Sequence, residues 1–302
     1  MNRLRTCLCA FALATLFASP LAARQGLTEP RAAELRDAGD PVLQRGLERV
    51  VRDLGLDGEV RARRLSLAIV DVTDPSAPRL AMLNGDEMVY AASLPKVAIL
   101  LGACVEAEAG RLPLDESRRA AMVNMIRHSS NEDATRVLRW VGEQRLLEIL
   151  QSERFRFYDP NGAGGLWVGK AYGGEAAYRR DPLRNLSHGA TAYQVARLYH
   201  ELATGRLLSP AFAEVMKDAL SRPGIRHKFV KGLESRPGVT IYRKSGTWRD
   251  HHADSALVEH GRHRYVLVGL AEHAQGGDWL ARLAAPLHDL LVQPGGMVLA
   301  GR

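Results

Sequence analysis

The chain has 302 residues, 46% hydrophobic and 25% charged, which excludes bulk disorder and suffices for one large domain or two small ones. The net charge of +7 comes largely from scattered arginines such as Arg61, Arg63, Arg64, Arg179, Arg180 and Arg184. No basic run is interleaved with aromatics, so no nucleic-acid partner is expected, while a mild positive charge suits an anionic small molecule.

In chain order, Arg3 and Arg5 precede an uncharged stretch, Cys7 to Ala18, and then Ser19-Pro20-Leu21-Ala22-Ala23. This reads as a secretory signal peptide, residues 1–23, cut after Ala23. The apolar run is short for a membrane span. Cleavage removes Arg3 and Arg5 and no acid, which takes the net charge from +7 to +5. The expected location is periplasmic, with no membrane anchor after cleavage. The mature chain keeps one cysteine, Cys104, in an apolar helical setting that reads as core.

Residues 24–40 are polar and expected to be loosely held. From Pro41 to Leu54 the apolar positions recur at helical spacing. Leu65 to Val72 is an apolar strand, closed by Asp74-Pro75 and followed by a hairpin partner over Leu80 to Leu83. Helices are predicted over 95–108, 115–127, 131–141 and 143–151. Residues 153–187 carry six glycines and no periodicity, a long loop of the kind that is usually functional. Helices return at 190–202 and 210–220. Strands follow at 239–244, 253–259 and 265–270, the last two facing each other across Gly261. An amphipathic helix over 277–292 closes the chain. The fold class is therefore α+β, an antiparallel sheet flanked by helices with an inserted helical subdomain. Residues 24–302 form one domain, its α/β part about 41–92 and 222–293 and its helical part about 93–221.

Three short motifs occur in order. Ser93-Leu94-Pro95-Lys96 is S-x-x-K, Ser129-Ser130-Asn131 is S-x-N, and Lys244-Ser245-Gly246, followed by Thr247, is K-[ST]-G. Ser93 falls at a helix start, with Pro95 in the first turn, and three residues on, Lys96 shares its face. A serine hydroxyl becomes a nucleophile only when a base takes its proton. Lys96 can be that base if burial or a second cation, Lys244, lowers its pKa. Ser129 can relay the proton, and Asn131 can orient Lys96 and hold a substrate amide. Lys244-Ser245-Gly246 is expected to end a strand, and the Thr247 and Ser93 amides could form an oxyanion hole. The chain has six lysines among its 41 basic residues, and two of the six fall in these motifs.

On these motifs the chain resembles the serine β-lactamases of class A and their penicillin-binding relatives, over roughly residues 41–293. The resemblance implies that Ser93 is acylated, Lys96 assists, Ser129 shuttles a proton, and Lys244 with Ser245 holds a substrate carboxylate. The 36 residues from Ser93 to Ser129 are few for class A, and Ser130 stands where class A usually has Asp. The E-x-x-L-N string that carries the deacylating glutamate is missing. Its nearest counterpart is Asp181-Pro182-Leu183-Arg184-Asn185, and Glu175 is a second candidate. The implied function is β-lactam hydrolysis through a Ser acyl-enzyme. The alternatives are a D-alanyl-D-alanine peptidase acting on peptidoglycan, or an acylated sensor. No cofactor and no metal are expected. Zinc near His251 and His252 is disfavoured because adjacent strand residues face opposite ways. Asp254 with one histidine is instead expected to pin the hairpin. A monomer is expected.

Overall fold

The computed structural model describes residues 34–293; the signal-peptide assignment lies outside them. A 3-10 turn, Leu35–Ala38, leads into α1 (Pro41–Asp53), whose N-terminus is capped by the Asp40 carboxylate. The expectation of a loose 24–40 segment fails for its described part. Leu35 is buried, and Gly39 bridges Leu80, so this stretch is tied to the sheet edge.

Next come α2 (Asp57–Arg61), β1 (Leu65–Asp71), β2 (Arg79–Leu83) and β3 (Val89–Tyr90). Four helices follow: α3 (Lys96–Glu108), α4 (Glu116–Arg127), α5 (Asn131–Val141) and α6 (Glu143–Gln151). The stretch to residue 191 is loop with four short strands, β4 (Tyr158–Asp159), β5 (Gly164–Gly165), β6 (Trp167–Val168) and β7 (His188–Ala190). The chain ends with α7 (Ala192–Ala203), α8 (Pro210–Leu220), α9 (Phe229–Leu233), β8 (Thr240–Trp248), β9 (His251–His260), β10 (His263–Glu272) and α10 (Gly276–Val292).

The main sheet is antiparallel in the order β2-β1-β10-β9-β8. Alternation in β1 splits its side chains between two cores. Leu65, Leu67 and Ile69 pack with residues of α1 and α10, whereas Ala68 and Val70 pack with residues of the helical part and α7. At the centre of the helical part lies α3, apolar on all sides and buried from Lys96 to Ala107. Cys104 sits in that core, its thiol pushed up to about 12 by burial.

Strand β8 is longer than its sequence suggested. Lys244-Ser245-Gly246 lies mid-strand, because the ladder to β9 continues through Thr247 with His252 and Trp248 with His251. The β8 edge therefore runs past the helical part rather than stopping at it.

Candidate active site

Ser93 lies in the turn before α3. The chain enters that helix through successive i to i+3 bonds, including the Lys96 amide to the Ser93 carbonyl at 3.3 Å. Ala92, immediately before Ser93, has φ 50°, and Ser129 has φ 56°. Left-handed backbone is strained at a non-glycine residue, and seven other such residues adopt it among the described ones.

Lys96 is wholly buried, yet its Nζ is well held. It donates to the Ser129 carbonyl at 2.6 Å, to Asn131 Oδ1 at 2.7 Å and to Ser129 Oγ at 3.3 Å. It also lies 4.5 Å from the Tyr172 ring centre, and the Tyr172 hydroxyl donates to the Ala92 carbonyl at 3.2 Å. Burial lowers the Lys96 amine to about 7.

On the far side of Ser129, Lys244 Nζ donates to Ser129 Oγ at 3.0 Å and to the Ser245 carbonyl at 2.6 Å. Lys244 is also driven well below its ordinary value, first by burial and then by the Lys96 charge. Burial disfavours two ammonium groups around one hydroxyl. When Lys96 is neutral, the Ser129 hydroxyl can give it a hydrogen while accepting one from Lys244. Lys96, Ser129 and Lys244 thus form one continuous hydrogen-bonded row.

β8 is pressed against the nucleophile turn. A Cβ on Gly246 would meet the Ala91 carbonyl oxygen at 2.3 Å and the Ser93 and Leu94 amide nitrogens at 2.7 Å. Only glycine permits this approach. The Ser93 amide has no backbone acceptor among the described residues, so it is free to face a carbonyl oxygen. Thr247 is exposed at the strand edge.

Four further residues beside these motifs, Arg243, Asp254, His227 and Lys228, had no motif to announce them. Arg243 and Asp254 form a buried bidentate ion pair, with Nε to Oδ1 at 2.7 Å and an Nη to Oδ2 at 2.9 Å. Arg243 also donates to the Ile225 and His227 carbonyls, and Asp254 accepts from the Phe229 amide. Asp254 thus pins Arg243 and the 225–229 segment, not a histidine as expected. That segment delivers His227, whose Nε2 is 3.2 Å from Ser245 Oγ, and Lys228. Lys228 is buried, and its Nζ donates to the Gly246 carbonyl at 2.5 Å, Thr247 Oγ1 at 2.8 Å and the Ala253 carbonyl at 3.0 Å. Burial lowers Lys228 to about 8 and His227 to about 4.

The two candidate acids have other work. Asp181 is buried, and its Oδ1 accepts from the Tyr158 hydroxyl and the Leu183 and Arg184 amides. Its Oδ2 accepts from the Leu186 amide at 2.7 Å. These four bonds fold the 181–186 turn around the carboxylate. Glu175 is exposed and paired with Arg139 at 2.6 Å. What the long loop sets beside Lys96 is instead Tyr172, with the His188 ring centre 4.3 Å from its own and tilted by 37°. Both His188 nitrogens are engaged, by Ser187 Oγ and the Lys170 carbonyl, and burial lowers its pKa to about 4. His251 turns to the Tyr90 ring and His252 to Gly276 and Gly277, on opposite faces of β9.

This sheet and helical part form the α+β fold of the β-lactamases and transpeptidases. Solved structures share the fold. PBP-A superposes with a TM-score of 0.63 at 16% identity, over 83% of this chain and 96% of that one. A β-lactamase from Sphaerobacter thermophilus does so at 0.64 and 16%, over 85% and 99%. A mutant of PBP-A, solved as an acyl-enzyme complex with penicillin G, does so at 0.60 and 18%, over 86% and 98%. No curated protein sequence matches. The family model described as the beta-lactamase enzyme family, Beta-lactamase2, matches residues 117–291. The chain belongs to that family.

Proposed function

We propose that this protein is a periplasmic serine hydrolase that opens β-lactams by forming an acyl-enzyme on Ser93. The observation that carries the reading is the Lys96–Ser129–Lys244 row, a buried amine of lowered pKa placed one helical turn from Ser93. Neutral Lys96 takes the Ser93 proton as the hydroxyl attacks the lactam carbonyl. The Ser93 and Thr247 amides stabilise the oxyanion. Ser129 passes a proton to the departing nitrogen, and Lys244 with Ser245 receives the substrate carboxylate. Lys228 positions this edge by fixing Gly246 and Thr247.

Release of the acyl group is the slow step in this reading. Asp181 and Glu175 are committed elsewhere, which leaves the lysine amines to activate water. That commitment favours a second reading, a D-alanyl-D-alanine peptidase for which β-lactams are slow-release substrates. Mass spectrometry with benzylpenicillin tests the proposal. One adduct per chain on Ser93, absent in Ser93→Ala of unchanged circular dichroism, supports it. Labelling that persists in Ser93→Ala refutes it. Decay of the adduct within seconds favours β-lactam hydrolysis, and persistence for minutes or longer favours the peptidase.

A further inference from the structure

Beyond the Ser93 site, β8 runs on into a cleft of 620 Å³ whose walls come from five separate stretches of the chain. Its arginines are Arg63, Arg180, Arg184 and Arg249, and its aromatic side chains are Tyr90, Trp248 and His251. Trp248 is 57% exposed, an unusual placement for so large an apolar side chain. Glu87 and Glu272 also line the cleft. The Glu87 carboxylate lies between Arg63 at 3.0 Å and Arg184 at 3.2 Å, so one acid is shared by two cations. Arg180 donates only to the Asn185 carbonyl, and Arg249 contacts only the Trp248 ring at 5.8 Å. Neither has a carboxylate partner among the described residues. Four cations against two acids leave the cleft positive.

Its place along β8 fixes which part of a substrate reaches it. Lys244 and Ser245 mark the end proposed for the substrate carboxylate, on the leaving side of the scissile bond. Gly246 abuts the Ser93 amide, where the carbonyl must sit. Trp248 is two residues further on, about 7 Å in an extended strand. The cleft therefore faces the acyl side. Tyr90 and Ser187 join the two regions, since Tyr90 packs on His188 and His251, and Ser187 bonds to His188.

We propose that this cleft binds a carboxylate carried on the acyl side of the substrate, held by Arg180 and Arg249 beside the Trp248 ring. The chemical class is an acylating agent whose side chain bears an anion next to a planar amide or aryl group. A peptide with free side-chain carboxylates upstream of its scissile bond belongs to that class. The planar group stacks on Trp248 and the anion meets the guanidinium pair.

The inference rests on Ser93 acylation, so its test compares two penicillins that differ by one side-chain carboxylate, benzylpenicillin and carboxybenzylpenicillin. Acylation rates of Ser93 are measured by mass spectrometry in the parent and in the Arg180→Gln/Arg249→Gln variant. The parent should acylate faster with the carboxylated compound. The variant should lose about fivefold of that preference while its benzylpenicillin rate stays within twofold, as expected for exposed charge pairs. Raising salt to 1 M, where the Debye length falls to about 3 Å, should shrink the preference in the parent alone. The salt arm needs no variant to fold. Equal rates for both compounds in the parent, a preference insensitive to salt, or a preference the variant keeps would overturn the inference. Failure of benzylpenicillin to acylate Ser93 at all would instead refute the function proposed above.

Discussion

Replacing Lys96 by methionine should stabilise the fold while abolishing acylation. The parent buries an amine whose pKa is about 7, against an ordinary value of 10.5. Between those values the unfolded chain binds more protons than the folded one, so stability rises with pH from about 7 to 10.5. Below pH 7 the full penalty applies. At 1.36 kcal/mol per pH unit, it is on the order of 5 kcal/mol. Methionine fills a similar volume with no charge. It leaves the Ser129 carbonyl and Asn131 Oδ1 without their amine, and Asn131 is exposed enough for water to replace it. Allowing for these lost bonds, about 1–3 kcal/mol of net stabilisation is expected at pH 6. The gain should shrink by pH 10, because the parent then folds with Lys96 neutral at little cost. Urea unfolding of parent and Lys96→Met at both pH values measures it, with fluorescent-penicillin labelling beside it. A variant less stable than the parent by the same margin at pH 6 and pH 10 would refute the reasoning, since Lys96 would then be an ordinary buried ammonium. The same titration predicts that acylation by the parent rises through pH 7 and then levels off.

Lys244→Ala should lower kcat/KM for acylation about ten- to a hundredfold, the value of a charge-assisted contact, and a parental kcat/KM would remove Lys244 from the site. Gly246→Ala should slow acylation by two orders of magnitude or more, because its methyl cannot occupy the 2.3 Å gap to Ala91 without moving β8 off the Ser93 turn. Labelling at the parental rate would show that this contact does not set the geometry. Asp181→Asn should cost about 1–3 kcal/mol of thermal stability, because an amide nitrogen or a weaker acceptor must face the Leu186 N–H. Well below its Tm the adduct should decay within about threefold of the parental rate. A hundredfold longer adduct would restore Asp181 as the general base.

Much of this was legible in the sequence because the signals were local. The all-apolar run of α3, the hairpin at Gly261 and the three motifs each fix a backbone within a few residues. The lysine count was informative too, since two of only six lysines fall in the motifs. It does not single out Lys228, which no motif contains. Its neighbour in space, Thr247, is 19 residues away, and the Arg243–Asp254 pair that brings them together has no sequence pattern. The surroundings of Asp181 were hidden for the same reason. Its spacing to Pro182 and Asn185 suits a catalytic acid, but four donors converge on its carboxylate, one of them from Tyr158 in a separate strand. The extension of β8 through Trp248 was hidden because polar and aromatic residues at an edge carry no clear alternation.

The Ser93 and Ser129 turns belong to helices, whereas Lys244 and Gly246 belong to the sheet, and the distances that matter run across the seam between them. Neither half holds a competent centre by itself. A chain whose helices have formed but not docked on β8 would lack the Lys244–Ser129 bond and the close approach of Gly246 to Ser93. Under the proposed function, covalent capture of a penicillin therefore counts only those molecules whose helices have docked on β8.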